Sequence, residues 1–306
     1  MKRLAIASAA ALLFLNAADP VASLDLKEAR ELPWLQYVNA EVARPGDRVL
    51  PPPPDIAVYF GSHAKAIERF REVSASVSLE RRDMRTIALI LVAHGLSHRE
   101  WDDLRATWSL TQTLSRSDDH FAPILTLIQA RLVNAAVRKM PYADPPWLQE
   151  LFRFDARAAM REDTVRLAEV IRQTVAEEEY GGNPLERLQD AMRKLMMPDV
   201  ADAYIEALRG MATSKQCDVD RREFGRRVAN AMATWNFMNA DAAPSGEWWH
   251  RAARFTAERE LTAKVLEIKA GRTPSSDSQC SDGKWIVTQG HIRFSKPIDG
   301  TIPLAY

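Results

Sequence analysis

LERRDMRTIALILVAHGLSHREWDDLRATWSLTQTL, running from Leu79 to Leu114, is the stretch whose reading decides the fold. Its centre, Ile87 to Ala93, is seven apolar residues in a row, so no face of a helix built from them can meet water. Such a helix lies either inside a protein or inside a bilayer, and seven residues fall far short of the roughly 20 that a span needs. The run therefore predicts a buried helix, and a buried helix needs other helices around it.

A polar cluster follows at once: His94, His98, Glu100, Asp102 and Asp103. Histidines four apart on one helix face have the spacing that holds a transition metal such as zinc. Between these two stand Gly-Leu-Ser, so the glutamate of an HExxH protease site is missing. Asp118-Asp119-His120, one helix further on, offers further ligands. His94, His98 and His120 are thus the candidate ligands of a divalent transition metal, and His98 with Glu100 the candidate catalytic pair. The caps argue the other way. Ser97-His98-Arg99-Glu100 has the form of a capping box with Leu96 and Trp101 at staple positions, and Gly95 suits a left-handed terminator. On that reading one helix ends near His94, another starts at Ser97, and the histidines do not share a face.

Outward from this centre, helical spacing recurs in both directions. Ser62 is placed to cap a helix carrying Ile67, Phe70, Val73 and Val77. Pro123 opens a helix through Ile124, Leu127, Ile128 and Val133, which Met140-Pro141 ends. Asp144 before Pro145 predicts a short helix through Leu148 and Leu151, and Asp155 starts a long one with Met160, Val165, Leu167 and Ile171. Asn183-Pro184 repeats the cap-plus-proline start, with Leu185, Leu188, Met192 and Leu195 as the inner stripe, and Pro198 is expected to break that helix. Asp220 and Glu223 stand in capping-box positions before Phe224, Val228, Met232, Trp235 and Met238, and a last long helix is expected from Ser245 to Gly271. Beyond it, Lys284–Thr288 and His291–Ser295 flank Gln289-Gly290 as a β-hairpin. The fold class is all-α, a bundle or array of about ten helices with a small C-terminal β-hairpin tail.

At its start the chain has Met1-Lys2-Arg3, an apolar run from Leu4 to Leu15, and small residues at Val21-Ala22-Ser23. This is the layout of a bacterial-type secretory signal peptide cleaved near Ser23, with retention as an anchor as the alternative. The division expected is a signal peptide at 1–23, a Pro-rich strap at 24–58 that includes Pro51 to Pro54, a helical domain at 59–271 and the hairpin tail at 272–306. Export to the periplasm or outside the cell makes the two cysteines informative: an oxidising compartment pairs Cys217 with Cys280.

Lysine plus arginine and aspartate plus glutamate number 41 each. Losing Lys2, Arg3 and Asp19 leaves 39 basic and 40 acidic side chains. A neutral protein offers no field that draws nucleic acid, and no stable membrane span is expected after cleavage. No phosphate loop, dinucleotide fingerprint or nucleophile elbow is present. Glu177-Glu178-Glu179-Tyr180 reads as a solvated helix end rather than a glycosidase carboxylate. Trp248-Trp249-His250 is a candidate binding edge, because neighbouring tryptophans on a helix point about 100° apart and one can reach the rim. The function expected is an exported, non-enzymatic binding or adaptor protein whose partner is an envelope protein or a cell-wall component. The alternative is an exported enzyme, a metal-dependent hydrolase or a polysaccharide-acting one, using the His94, His98 and His120 region.

Overall fold

The computed structural model describes residues 21–76, 79–117, 122–177, 183–212, 217, 222–234, 236, 245–288, 291–298 and 304–306. Residues 1–20 of the expected signal peptide, Val77, His120 with Asp118 and Asp119, Glu178 to Tyr180, Asp220, Trp235, Met238 and Gln289-Gly290 of the expected hairpin lie outside them.

Among the described residues there are eleven α-helices and one antiparallel pair of strands. In chain order they are α1 (Leu26–Glu31), α2 (Trp34–Ala43), α3 (Pro54–Val73), α4 (Arg81–His98), α5 (Trp101–Ser115), α6 (Ala122–Lys139), α7 (Leu148–Arg153), α8 (Ala156–Glu177), α9 (Pro184–Ala212), α10 (Glu223–Ala231), α11 (Ser245–Lys269), β1 (Trp285–Thr288) and β2 (His291–Phe294). The fold is all-α with a small hairpin near its C-terminal end. No helix of the described residues is long and apolar enough to cross a membrane. The chain forms two compact units: the described residues of Met1–Thr113 with Ala135–Pro141, and Leu114–Asn134 with Tyr142–Tyr306.

The first unit is built around α4, in which every residue from Thr86 to Leu96 is buried. Around it lie Trp34, Tyr37 and Val38 of α2 and Ile56, Tyr59, Phe60, Ile67 and Phe70 of α3. Helix α3 starts at Pro54, a proline in its first turn where the missing N–H costs nothing. Ser62 is consequently not a cap but an interior residue, its hydroxyl donating to the Val58 carbonyl at 3.0 Å. Within residues 24–58, α1, α2 and the first residues of α3 are helical, and the longest non-helical stretch is the one between α2 and α3. That stretch is tied down by buried Lys139, whose Nζ donates to the carbonyls of Arg44 and, at 2.6 Å, Gly46.

The corner after α4 differs from the capping-box reading. The helix runs through Gly95 to His98, and the left-handed cap is Arg99, at φ 61°, whose N–H closes on the Gly95 carbonyl. Gly95 serves a different need. A Cβ there would lie 3.1 Å from the Asp103 Cβ and 3.2 Å from the Glu100 carbonyl oxygen, so glycine lets α5 come close to α4. Arg99 is held in its unusual backbone state by its guanidinium, which donates to the carbonyls of Lys139 and, at 2.8 Å, Asp47.

In the second unit α8 packs against α9 and α11, and α10 against both α9 and α11. The caps of α8 and α9 are those read from sequence: Asp155 Oδ1 accepts from the N–H groups of Arg157 and Ala158, and Asn183 Oδ1 from that of Glu186. Other expectations fail. Asp144 does not cap α7, whose N-cap is Trp147 with no side-chain bond. Pro198 does not end α9, which carries it as an interior residue. The Leu185, Leu188, Met192 and Leu195 stripe is not internal but exposed by 64, 57, 37 and 63%. On α8, Ala156, Met160, Thr164 and Ala168 are buried, while Val165 is exposed.

The hairpin pairs Trp285 with Phe294 and Val287 with Ile292. Trp285, Ile292 and Phe294 pack with Ala257, Leu261 and Val265 of α11, which gives a marginal two-stranded ribbon the surface it needs. Cys217 is bonded to Cys280 within this cluster, with Cα atoms 5.3 Å apart. The far edge of β2 is covered by the last residues of the chain: Ile292 and Tyr306 exchange backbone bonds of 3.1 and 2.8 Å, and Phe294 donates to the Leu304 carbonyl.

Candidate functional site

Because α4 continues to His98, the two histidines do share a face. Their rings stack with centroids 4.0 Å apart and planes 21° apart, and Phe60 of α3 presents its edge to both. His98 is exposed and its Nδ1 donates to the His94 carbonyl at 3.1 Å. His94 is buried, and its Nδ1 lies 2.7 Å from Oδ2 of Asp103.

Asp103 is the centre of the network. It has no exposed surface, and Arg71 of α3 grips it with Nε to Oδ1 at 2.6 Å and Nη2 to Oδ2 at 3.0 Å. Arg71 Nη2 also lies 3.2 Å from His94 Nδ1. Two donors cannot bond each other, and the shorter contact to a carboxylate decides the matter: Nδ1 carries the proton and gives it to Asp103, leaving Nε2 as the basic nitrogen. Burial pulls the Arg71 guanidinium down, but the Asp103 carboxylate, helped by Glu100 and Asp102, holds it above its usual value. Arg71, His94 and Asp103 join α3, α4 and α5 through one buried charge pair and its histidine.

A carboxylate aligning a histidine is the arrangement that readies Nε2 as a general base. Its chemical reach here is narrow, because Arg71 neutralises the carboxylate and no hydroxyl or thiol among the described residues is hydrogen-bonded to the His94 ring. A metal held by both histidines is also poorly served. Near-parallel rings aim their in-plane lone pairs side by side rather than at one point. Among the described residues there is no group of three or more His, Cys, Asp or Glu side chains placed to hold a metal ion. Glu100 is exposed just before α5 and bonds neither histidine. Of the residues that form this network, Arg71 had no sequence signal beyond its place beside Phe70 on the inner stripe of α3, and Asp103 was one acid in a cluster of several.

The Trp248-Trp249-His250 edge splits between inside and rim. Trp249 is buried and stacks parallel to Phe224, at 6.3 Å and 16°. His250 is buried as well. Trp248 alone reaches the rim, half-covered, with the Arg251 guanidinium 4.5 Å above its ring.

The most exposed apolar feature is the first half of α9. From Asn183 to Leu195 every residue is exposed except the half-buried Glu186 and Asp190. Leu185, Leu188, Met192 and Leu195 fall at steps of three, four and three, the seam spacing of a coiled coil. The positions flanking that seam are Gln189, Ala191 and Met196, all uncharged, while Asp190 and Lys194 pair along the helix at 3.1 Å.

Compared with protein-family profiles, with curated proteins and with solved structures, the chain finds no match.

Proposed function

We propose that this chain is an exported helical binding protein of adaptor type, and that the first half of α9 receives an amphipathic helix of a partner envelope protein. The observation that carries the reading is the exposed Leu185, Leu188, Met192, Leu195 seam. A helical segment of about 12 residues has little stability of its own in water, and this one leaves four large apolar side chains uncovered. A partner helix that inserts its own apolar residues between them supplies what the segment lacks. Uncharged flanks mean that fit rather than charge selects the partner.

The seam exposes roughly 400 Å² of side chain, about half of what one partner buries in a standard stable interface. A pair of identical seams would therefore be too small to hold a permanent dimer, whereas a reversible contact with another protein suits that size. Export is supported by the basic head and apolar run at residues 1–23, and the Cys217–Cys280 bond agrees with an oxidising compartment.

The test is site-specific photo-cross-linking from position 188 in the native envelope, beside the Leu188→Asp, Leu195→Asp double variant. The expected result is one dominant adduct whose partner contributes a helical peptide. That peptide binds the purified wild-type protein and not the double variant, while the melting temperature of the variant is unchanged because both leucines are exposed. Equal peptide binding by the double variant, or a wild-type protein that sediments as a dimer through this seam, overturns the reading.

A further inference from the structure

We infer that the second unit carries a binding site for a phosphate-bearing organic anion, in the cavity lined by α7, the start of α8, the end of α9 and α11. The inference does not depend on the α9 seam, and either can fail alone.

The cavity has a volume of about 530 Å³, within the range of small-molecule sites. Among the described residues its lining is rich in cations: Arg153, Arg157, Arg161 and Arg259 line it with one carboxylate, Asp155, and Glu260 acts on Arg259 from nearby. The Asp155 carboxylate is already occupied, since its Oδ1 caps α8 by accepting from two backbone N–H groups.

Elsewhere in the same unit arginines are matched to acids. Arg131 and Arg254 hold Glu258, Arg226 and Arg227 hold Glu223, and Arg172 holds Asp202. At the cavity, Arg153 and Arg161 make no ion pair among the described residues, and Arg259 is anchored through a bond from Nη1 to the Phe154 carbonyl. Burial pulls the guanidinium groups of Arg157 and Arg259 down from their usual range, a desolvation cost that an anion between them would offset.

Trp249, 3% exposed, lines the cavity as well. Phe152 and Met211 add an apolar wall, which suits an aromatic or aliphatic body attached to the anionic group.

The chemistry favours phosphate over carboxylate. Guanidinium forks bind both, but Arg153 and Arg161 bring two charges that no carboxylate among the described residues pairs, which a dianionic phosphate ester answers better than a singly charged carboxylate.

The experiment uses the full mature chain titrated with phenyl phosphate, with benzoate and neutral phenol as comparisons, read by calorimetry and tryptophan fluorescence. Phenyl phosphate is expected to bind one to one, at least tenfold more tightly than benzoate, and more weakly as salt rises. Arg153 and Arg161 are exposed, so the Arg153→Gln, Arg161→Gln double variant keeps its melting temperature while affinity falls tenfold or more. No saturable binding of phenyl phosphate up to about 10 mM, benzoate binding as tightly, or undiminished affinity in the arginine double variant overturns the inference.

Discussion

Asp103 accepts three contacts from a position with no exposed surface, two from Arg71 and one from His94. Replacing it by alanine leaves a guanidinium with most of its surface covered and no counter-ion, the situation that makes one-sided removal of a buried pair costly. Asp103→Ala is expected to lower unfolding stability by about 3 kcal/mol in urea denaturation, with His94→Ala costing clearly less. Equal losses would mean that packing rather than charge dominates the site. Sequence brought the right residues into view for a different reason. The histidine spacing was legible, and the capping box then argued it away. The structure reinstates the shared face, because Gly95 is spent on a close approach to Asp103 and Glu100 instead of on a turn. Nothing local in a sequence distinguishes a glycine needed for contact from one needed for a cap, since the contact partner lies on another helix. The arginine-lined cavity was hidden for the same reason. Arg157 and Arg161 are four apart and visibly share a face, but Arg259 and Trp249 join them only through tertiary packing.

At the scale of elements, starts and stops were read unevenly: Ser62 and Ser97, expected as caps, lie inside α3 and α4, while Met140-Pro141 follows the end of α6 at Lys139. Asp155 and Asn183 cap their helices with the side-chain bonds that their positions implied. Pro198 was expected to break α9, and instead the helix carries it. An interior proline removes one backbone bond and presses its ring on the preceding turn; beside it, Asp199 accepts from the Ala233 N–H and from Asn236 Nδ2, and the Met196 carbonyl from the same Asn236. Pro198→Ala restores the missing donor and is expected to stabilise the protein by about 1 to 3 kcal/mol, measured by urea denaturation; a loss of stability would show that those neighbouring bonds require the proline geometry. The α9 stripe teaches a separate lesson. A period near 3.5 identifies an apolar face but not what covers it, so an exposed seam and a seam buried in its own fold read alike.

Across the whole molecule, the class was written plainly: a helix apolar all round, repeated amphipathic segments, and a change of pattern after Gly271. The pairing of Cys217 with Cys280 followed from there being two cysteines and from the expectation of export. The bond closes a loop across a sequence separation of 63, which on the chain-entropy account stabilises by about 4 kcal/mol. Cys280→Ser, or reduction of the wild-type chain, is therefore expected to lower the melting temperature markedly and to free the Trp285 cluster first, seen as a red shift in tryptophan emission. Unchanged emission with the bond reduced would assign hairpin docking to apolar packing alone. The remaining hairpin feature concerns neighbours as well as stability. Leu304 to Tyr306 occupy the outer edge of β2, where an uncovered strand is an invitation to another chain. Clipping those three residues would strip Leu304 and Tyr306 from the hairpin cluster and expose a template for intermolecular strand addition, so damage at this end would show as loss of solubility in storage.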